Sequence, residues 1–119
     1  MTPDKASILH VCSRDVILDL RDQILRLQGY EVVSTRSFEE APSLFQQKPY
    51  TLVLVDIDHQ RSVSQAEEFC SEVRTLQPKQ KVAFVCNHRV SVTSDCPDEI
   101  IEAEFNPLAF VKGVSETMQ

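Results

Sequence analysis

Short apolar runs and amphipathic stretches alternate along the whole chain. Ile8-Leu9-His10-Val11-Cys12 reads as a short buried strand. Ser13 then stands where a helix N-cap belongs, with Asp15 in the first turn to favour the positive end of the helix dipole. In the helix that follows, Val16, Ile17, Leu20, Ile24, Leu25 and Leu27 recur at helical spacing, mostly opposite Arg14, Asp19, Arg21, Asp22, Arg26 and Gln28, and Gly29 supplies the stop. Tyr30 to Ser34 is rich in β-formers and predicts a second strand. Ser37 caps a second helix over 38–47, with Pro42 inside it where a lost hydrogen bond would bend it. Thr51-Leu52-Val53-Leu54-Val55-Asp56 is the most hydrophobic strand and ends in a carboxylate. A third helix follows over 63–76, with Ala66, Phe69, Cys70, Val73 and Leu76 as its inner stripe. Lys81 to Cys86 gives a fourth strand, 87–97 a loop or at most a short helix, and 98–104 a fifth strand with Ile101 and Ala103 facing one way and Glu102 and Glu104 the other. Asn106-Pro107 then opens a last helix running through Met118.

A fully apolar run such as 52–55 is expected to be buried on both faces, as in the middle of a parallel sheet. Strand and helix alternating five times with short loops implies parallel strands, right-handed crossovers and helices on both faces: a doubly wound α/β sheet formed by residues 1–119 as a single domain. The length suits one core, and no linker, repeat or low-complexity segment interrupts it. A net charge of −6 with scattered basic residues argues against a nucleic-acid surface. No apolar run is long enough for a membrane span, and the first residues lack a signal-peptide core, so a cytoplasmic protein is expected. Two glycines and no Gly-rich loop leave nothing that resembles a P-loop or a dinucleotide fingerprint.

In an open sheet of this kind ligands bind beyond the carboxyl ends of the strands. The residues there are Cys12 with Ser13, Asp56, Cys86 with Asn87, and Ala103. Asp56 is the candidate of greatest chemical interest, since a carboxylate at a strand tip can attack a phosphoryl group if a cation neutralises the charge. An Asp that only caps the following loop reads the same from the residues alone.

Over its whole length the sequence resembles the receiver domains of response regulators, the CheY-like family. The resemblance rests on Ile8-Leu9-His10-Val11, Gly29-Tyr30-Glu31-Val32-Val33, Ser37-Phe38-Glu39-Glu40-Ala41, Leu52-Val53-Leu54-Val55-Asp56-Ile57 and Phe105-Asn106-Pro107. It implies a flavodoxin-like five-stranded parallel sheet of order 2-1-3-4-5, and it places Asp56 at the phosphoacceptor position. The family's other active residues do not carry over. Cys12-Ser13 stands where two acidic residues hold a magnesium ion, Cys86 where a Thr or Ser ends the fourth strand, Ala103 where a Lys ends the fifth, and Ile100 at the aromatic switch position. No cofactor is therefore expected; Mg2+ stays open as an alternative, with Asp15 and Asp58 the nearby carboxylates that would serve it. Without the metal and the Lys, phosphotransfer loses electrostatic stabilisation of about several kcal/mol.

The expected function is that of a non-enzymatic, stand-alone pseudo-receiver of a two-component or phosphorelay system, acting through protein contacts with weak or no phosphorylation. The alternative is an ordinary receiver phosphorylated at Asp56. The resemblance implies a histidine kinase, a phosphotransfer protein or an output protein as partner, and a homodimer through a face that would include Glu102, Glu104, Phe110 and Lys112. The cysteines, Cys12, Cys70, Cys86 and Cys96, form no CxxC pair and are expected to be free thiols. Cys12 and Cys86 would end the strands flanking Asp56, roughly 9 to 10 Å apart, too far for a disulfide. A Cys-Asp-Cys metal site completed by His59 or His88 would have to converge across that gap, and a thiol redox sensor would need more positive neighbours than Arg14 and Arg89.

Overall fold

In a computed structural model, which describes residues 5–87, 90, 92–103 and 106–119, the elements run β1 (Ser7–Val11), α1 (Asp15–Leu27), β2 (Glu31–Thr35), α2 (Ala41–Gln47), β3 (Leu52–Ile57), α3 (Ser62–Leu76), β4 (Lys81–Cys86), β5 (Glu99–Glu102) and α4 (Pro107–Met118). The strands form one sheet of order β2-β1-β3-β4-β5, and every pairing is parallel. This is the doubly wound sheet that the alternation predicts, in the 2-1-3-4-5 order that the receiver resemblance implies.

Side chains alternate across a strand, so each strand feeds two cores. Leu9, Val11, Val53, Val55, Ile57, Val82, Phe84 and Cys86 pack on one face against Phe45 of α2 and Ala66, Phe69, Cys70 and Val73 of α3. Ile8, Leu52, Leu54, Ala83, Val85 and Ile101 pack on the other against Leu25 of α1 and Phe110 and Val114 of α4. All of β3 is buried, which is why its sequence shows no polar alternation. Gly29 leaves α1 with a φ of 88°, a conformation that favours glycine, and turns the chain into β2.

Several local expectations are corrected. Ser13 does not cap α1: Arg14 holds the N-cap position without a side-chain hydrogen bond, and Ser13 Oγ instead donates to Asp58 at 3.1 Å. Ser37 does cap, accepting from the Glu39 and Glu40 amides at 3.1 and 3.2 Å, but it caps a turn, and α2 begins only at Ala41. Pro42 therefore lies in the first helical turn, where a proline is tolerated, and not inside the helix. On α1 the buried positions are Arg21 and Leu25, while Val16 (76%), Leu20 (46%) and Leu27 (83%) are exposed. The packed stripe is thus turned by about one residue from the one the apolar pattern suggests.

The described residues between Asn87 and Asp98 carry no helix. Cys96, within that stretch, is joined to Cys70 of α3 by a disulfide, with Cα atoms 6.2 Å apart. The expectation of free thiols is thereby corrected for Cys70 and Cys96, while Cys12 and Cys86 are free; spacing along the chain does not report a contact between α3 and the β4–β5 connection. Arg74 of α3 secures the same segment, donating to the Cys96 carbonyl at 3.1 and 2.7 Å and pairing with Asp98 at 3.0 Å.

Candidate functional site

Parity and register decide which side chains meet at the strand ends. His10 lies opposite Leu54 and Val11 opposite Val55, so Cys12 reaches the level of Asp56, and His10, Cys12 and Asp56 share the face covered by α1 and α4. All three are buried, at 0%, 1% and 5% exposure, and their potential ligand atoms lie within 4.8 Å of one another. Cys86 is in register with Ile57 and belongs to the opposite face, against α3. The Cys-Asp-Cys arrangement is excluded by this parity. His59 lies outside the cluster, 57% exposed beside Asp58, and His88 is outside the described residues.

Arg21 projects from α1 into the same space. Its Nη1 donates to Asp56 Oδ2 in a buried ion pair, and its guanidinium lies over the Phe110 ring, 5.0 Å from the centroid. The planar, weakly hydrated guanidinium suits such a site better than a lysine ammonium would. Burial pushes Asp56 up to about 6, with Arg21 acting in the opposite sense; the carboxylate is ionised at neutral pH and the pair carries both charges.

The neighbours are held neutral. Burial, with Arg21 adding to it, brings His10 down to about 4, and neither of its ring nitrogens has a hydrogen-bond partner among the described residues. Burial and then Asp56 raise the Cys12 thiol to about 12, and its Sγ makes a long contact, 3.6 Å, to the Arg14 carbonyl. Burial also raises Cys86. Of the other nearby carboxylates, Asp15 pairs with Arg36 at 2.5 Å on the exposed side of α1, and Asp58 accepts from Ser13 and Ser62 at 3.1 and 2.9 Å. Both are engaged in holding loops.

No family model and no curated protein matches the chain. Solved structures do. The chemotaxis response regulator CheY4 of Vibrio cholerae superposes with a TM-score of 0.79 at 19% identity, over 96% of this chain and 99% of its own. A putative response regulator from Chloroflexus aurantiacus gives 0.81 at 18% identity over 97% and 98%. The response regulator TrrA of Thermotoga maritima, in complex with Mg2+ and BeF, gives 0.78 at 25% identity over 94% and 98%. The chain has the response-regulator receiver fold. Within this receiver fold Cys12 follows β1, Asp56 lies one residue before the end of β3, Cys86 ends β4 and Ala103 follows β5.

Two residues of the site escape the sequence reading. The apolar pattern puts Arg21 on the polar side of α1, yet it lies four residues from both Ile17 and Leu25, and that spacing is the signal that it shares their face. His10 reads in the sequence as one member of an apolar run. Its same-face relation to Cys12 is visible in the sequence, but the approach to Asp56 requires the strand register. Phe110, expected on the interaction face, is 2% exposed beneath Arg21, because α4 turns that position inward. Glu102 and Lys112 are exposed as expected, and Glu104 lies outside the described residues.

Proposed function

We propose that this chain is a pseudo-receiver: a signalling module of the receiver fold that acts by binding other proteins, with Asp56 serving as the structural partner of Arg21 rather than as a phosphoacceptor. The observation that carries this reading is the buried Arg21–Asp56 ion pair. An attacking carboxylate needs an approach path and a cation that also neutralises the incoming phosphoryl group. Asp56 is 5% exposed and its charge is already satisfied from the protein side. Cys12, Cys86 and Ala103 stand where the receiver resemblance calls for an acid, a hydroxyl and a Lys. A buried thiol held neutral is a poor magnesium ligand.

Binding to proteins has support of its own. Val16 and Leu20 of α1 and Leu108 of α4 are exposed at 76%, 46% and 81%. Leu20 also lines a cavity of about 180 Å3, together with Arg21, Ile24, Ala103, Asn106, Pro107 and Phe110. A partner seated on this apolar ground would touch Arg21 and so sense the Asp56 pair directly. A structure of TrrA with the histidine kinase ThkA, 24% identical to this chain and with a TM-score of 0.80, gives a kinase as one kind of protein such a fold engages. No helix among the described residues is long and apolar enough to cross a membrane.

The test is incubation with acetyl phosphate and magnesium followed by intact-mass measurement of the wild type and Asp56→Asn, with a competent receiver alongside. No adduct is expected on either form. A phosphate adduct on the folded wild type alone would return the chain to the phosphoaccepting receivers.

A further inference from the structure

The Arg21–Asp56 pair leaves part of the cluster unexplained. His10 is wholly buried, and both of its ring nitrogens lack a partner among the described residues, although leaving such atoms unpaired costs about 1–3 kcal/mol. Around it stand a thiol and a carboxylate, and the donor atoms of all three lie within 4.8 Å of one another. A nitrogen, a sulfur and an oxygen donor converging in a buried space are the ligand types of a borderline-soft divalent cation.

We propose that His10, Cys12 and Asp56 form a binding site for a zinc-class divalent cation, with three protein ligands and a fourth position open to water or another small donor. Tetrahedral donors around zinc stand roughly 3.4 to 3.7 Å apart, from bond lengths of about 2.0 to 2.3 Å. The cluster, with donors within 4.8 Å of one another, therefore needs to contract by at most about 1.4 Å, which side-chain rotations can supply. His10 and Cys12 are two residues apart on one strand face, and Asp56 is on the adjacent strand, so the sheet itself sets the spacing. On binding, the Cys12 S–H bond breaks, the proton passes to solvent and the sulfur lone pair forms the metal bond. Thiolate and carboxylate then supply two negative charges to the dication and Arg21 together, and a hydroxide or other small anion in the fourth position would neutralise the one positive charge that is left. A carboxylate has two oxygens, so Asp56 can serve the ion and Arg21 together. Magnesium, which demands oxygen ligands in octahedral geometry, does not fit this donor set.

This site stands on the donor geometry and is independent of whether the chain is phosphorylated. The test is a titration of the chelator-treated full chain with Co2+. The folded wild type should develop a thiolate-to-cobalt charge-transfer band in the near ultraviolet and the visible bands of a four-coordinate ion; Zn2+ should abolish both, and Mg2+ should leave them unchanged. Cys86→Ser should keep the bands, folded Cys12→Ser should lose the charge-transfer band, and His10→Gln should weaken binding beyond the roughly 10–100-fold cost of losing an outer-shell partner. Absence of the band in folded wild type at saturating Co2+ would overturn the proposal whatever the variants do. So would bands that persist in Cys12→Ser and vanish in Cys86→Ser.

Discussion

Burial drives His10 and Asp56 toward their neutral forms, and because one is a base and the other an acid, their contributions to stability run against each other. Asp56 is raised from 3.8 to about 6 on folding. Between pH 4 and 6 the folded state then holds the extra proton, and this residue makes the protein less stable as pH rises. His10 is lowered from 6.5 to about 4, so its contribution is complete above pH 6.5 and is lost as pH falls toward 4. Each acts with a slope of at most about 1.4 kcal/mol per pH unit, and in the wild type the two largely offset. In chelator, His10→Leu should unmask Asp56: relative to the wild type, its urea midpoint should rise as pH is lowered from 6 to 4. Asp56→Asn should show the reverse, a midpoint falling from pH 6.5 to 4. Three parallel profiles would mean that neither group titrates as its burial requires.

At the scale of elements, legibility followed how far each signal reaches along the chain. Strand cores were plain because burial on both faces leaves uninterrupted apolar runs. Helix α1 was recognised, but its packed face was set by contact with α4, and Arg21 takes an inner position because Asp56 and Phe110 wait for it. Pro42 and Ser37 were read as parts of one helix when they serve successive structures, a turn and then a first helical turn. The segment after β4 was legible only as lacking periodicity; what fixes it is a bond to a cysteine that lies 26 residues away. Closing a loop of that length removes unfolded-state entropy worth about 3.5 kcal/mol. Cys96→Ser should accordingly lower unfolding stability by about that amount in oxidising buffer, and dithiothreitol should bring the wild type to the same value. Equal midpoints for the oxidised wild type and the variant would remove the bond from the account.

For the whole molecule, the doubly wound sheet explains why Asp56 was found and its company was not. A carboxylate ending the most apolar strand is visible in one dimension. The groups that surround it come from β1, α1 and α4, brought together only by the 2-1-3-4-5 order. The receiver fold supplies the position, and the side chains gathered there are a basic partner, an imidazole and a thiol. The proposed role of Asp56 rests on Arg21 and Asp56 behaving as one unit, which a double-mutant cycle by urea unfolding at pH 7 measures. Arg21→Met and Asp56→Leu should each cost about 3–5 kcal/mol by leaving a buried charge alone, and the double variant should recover at least about 2 kcal/mol of their sum. Costs that add to within about 0.5 kcal/mol would contradict the pair, and Asp56 would again be a carboxylate free for other chemistry.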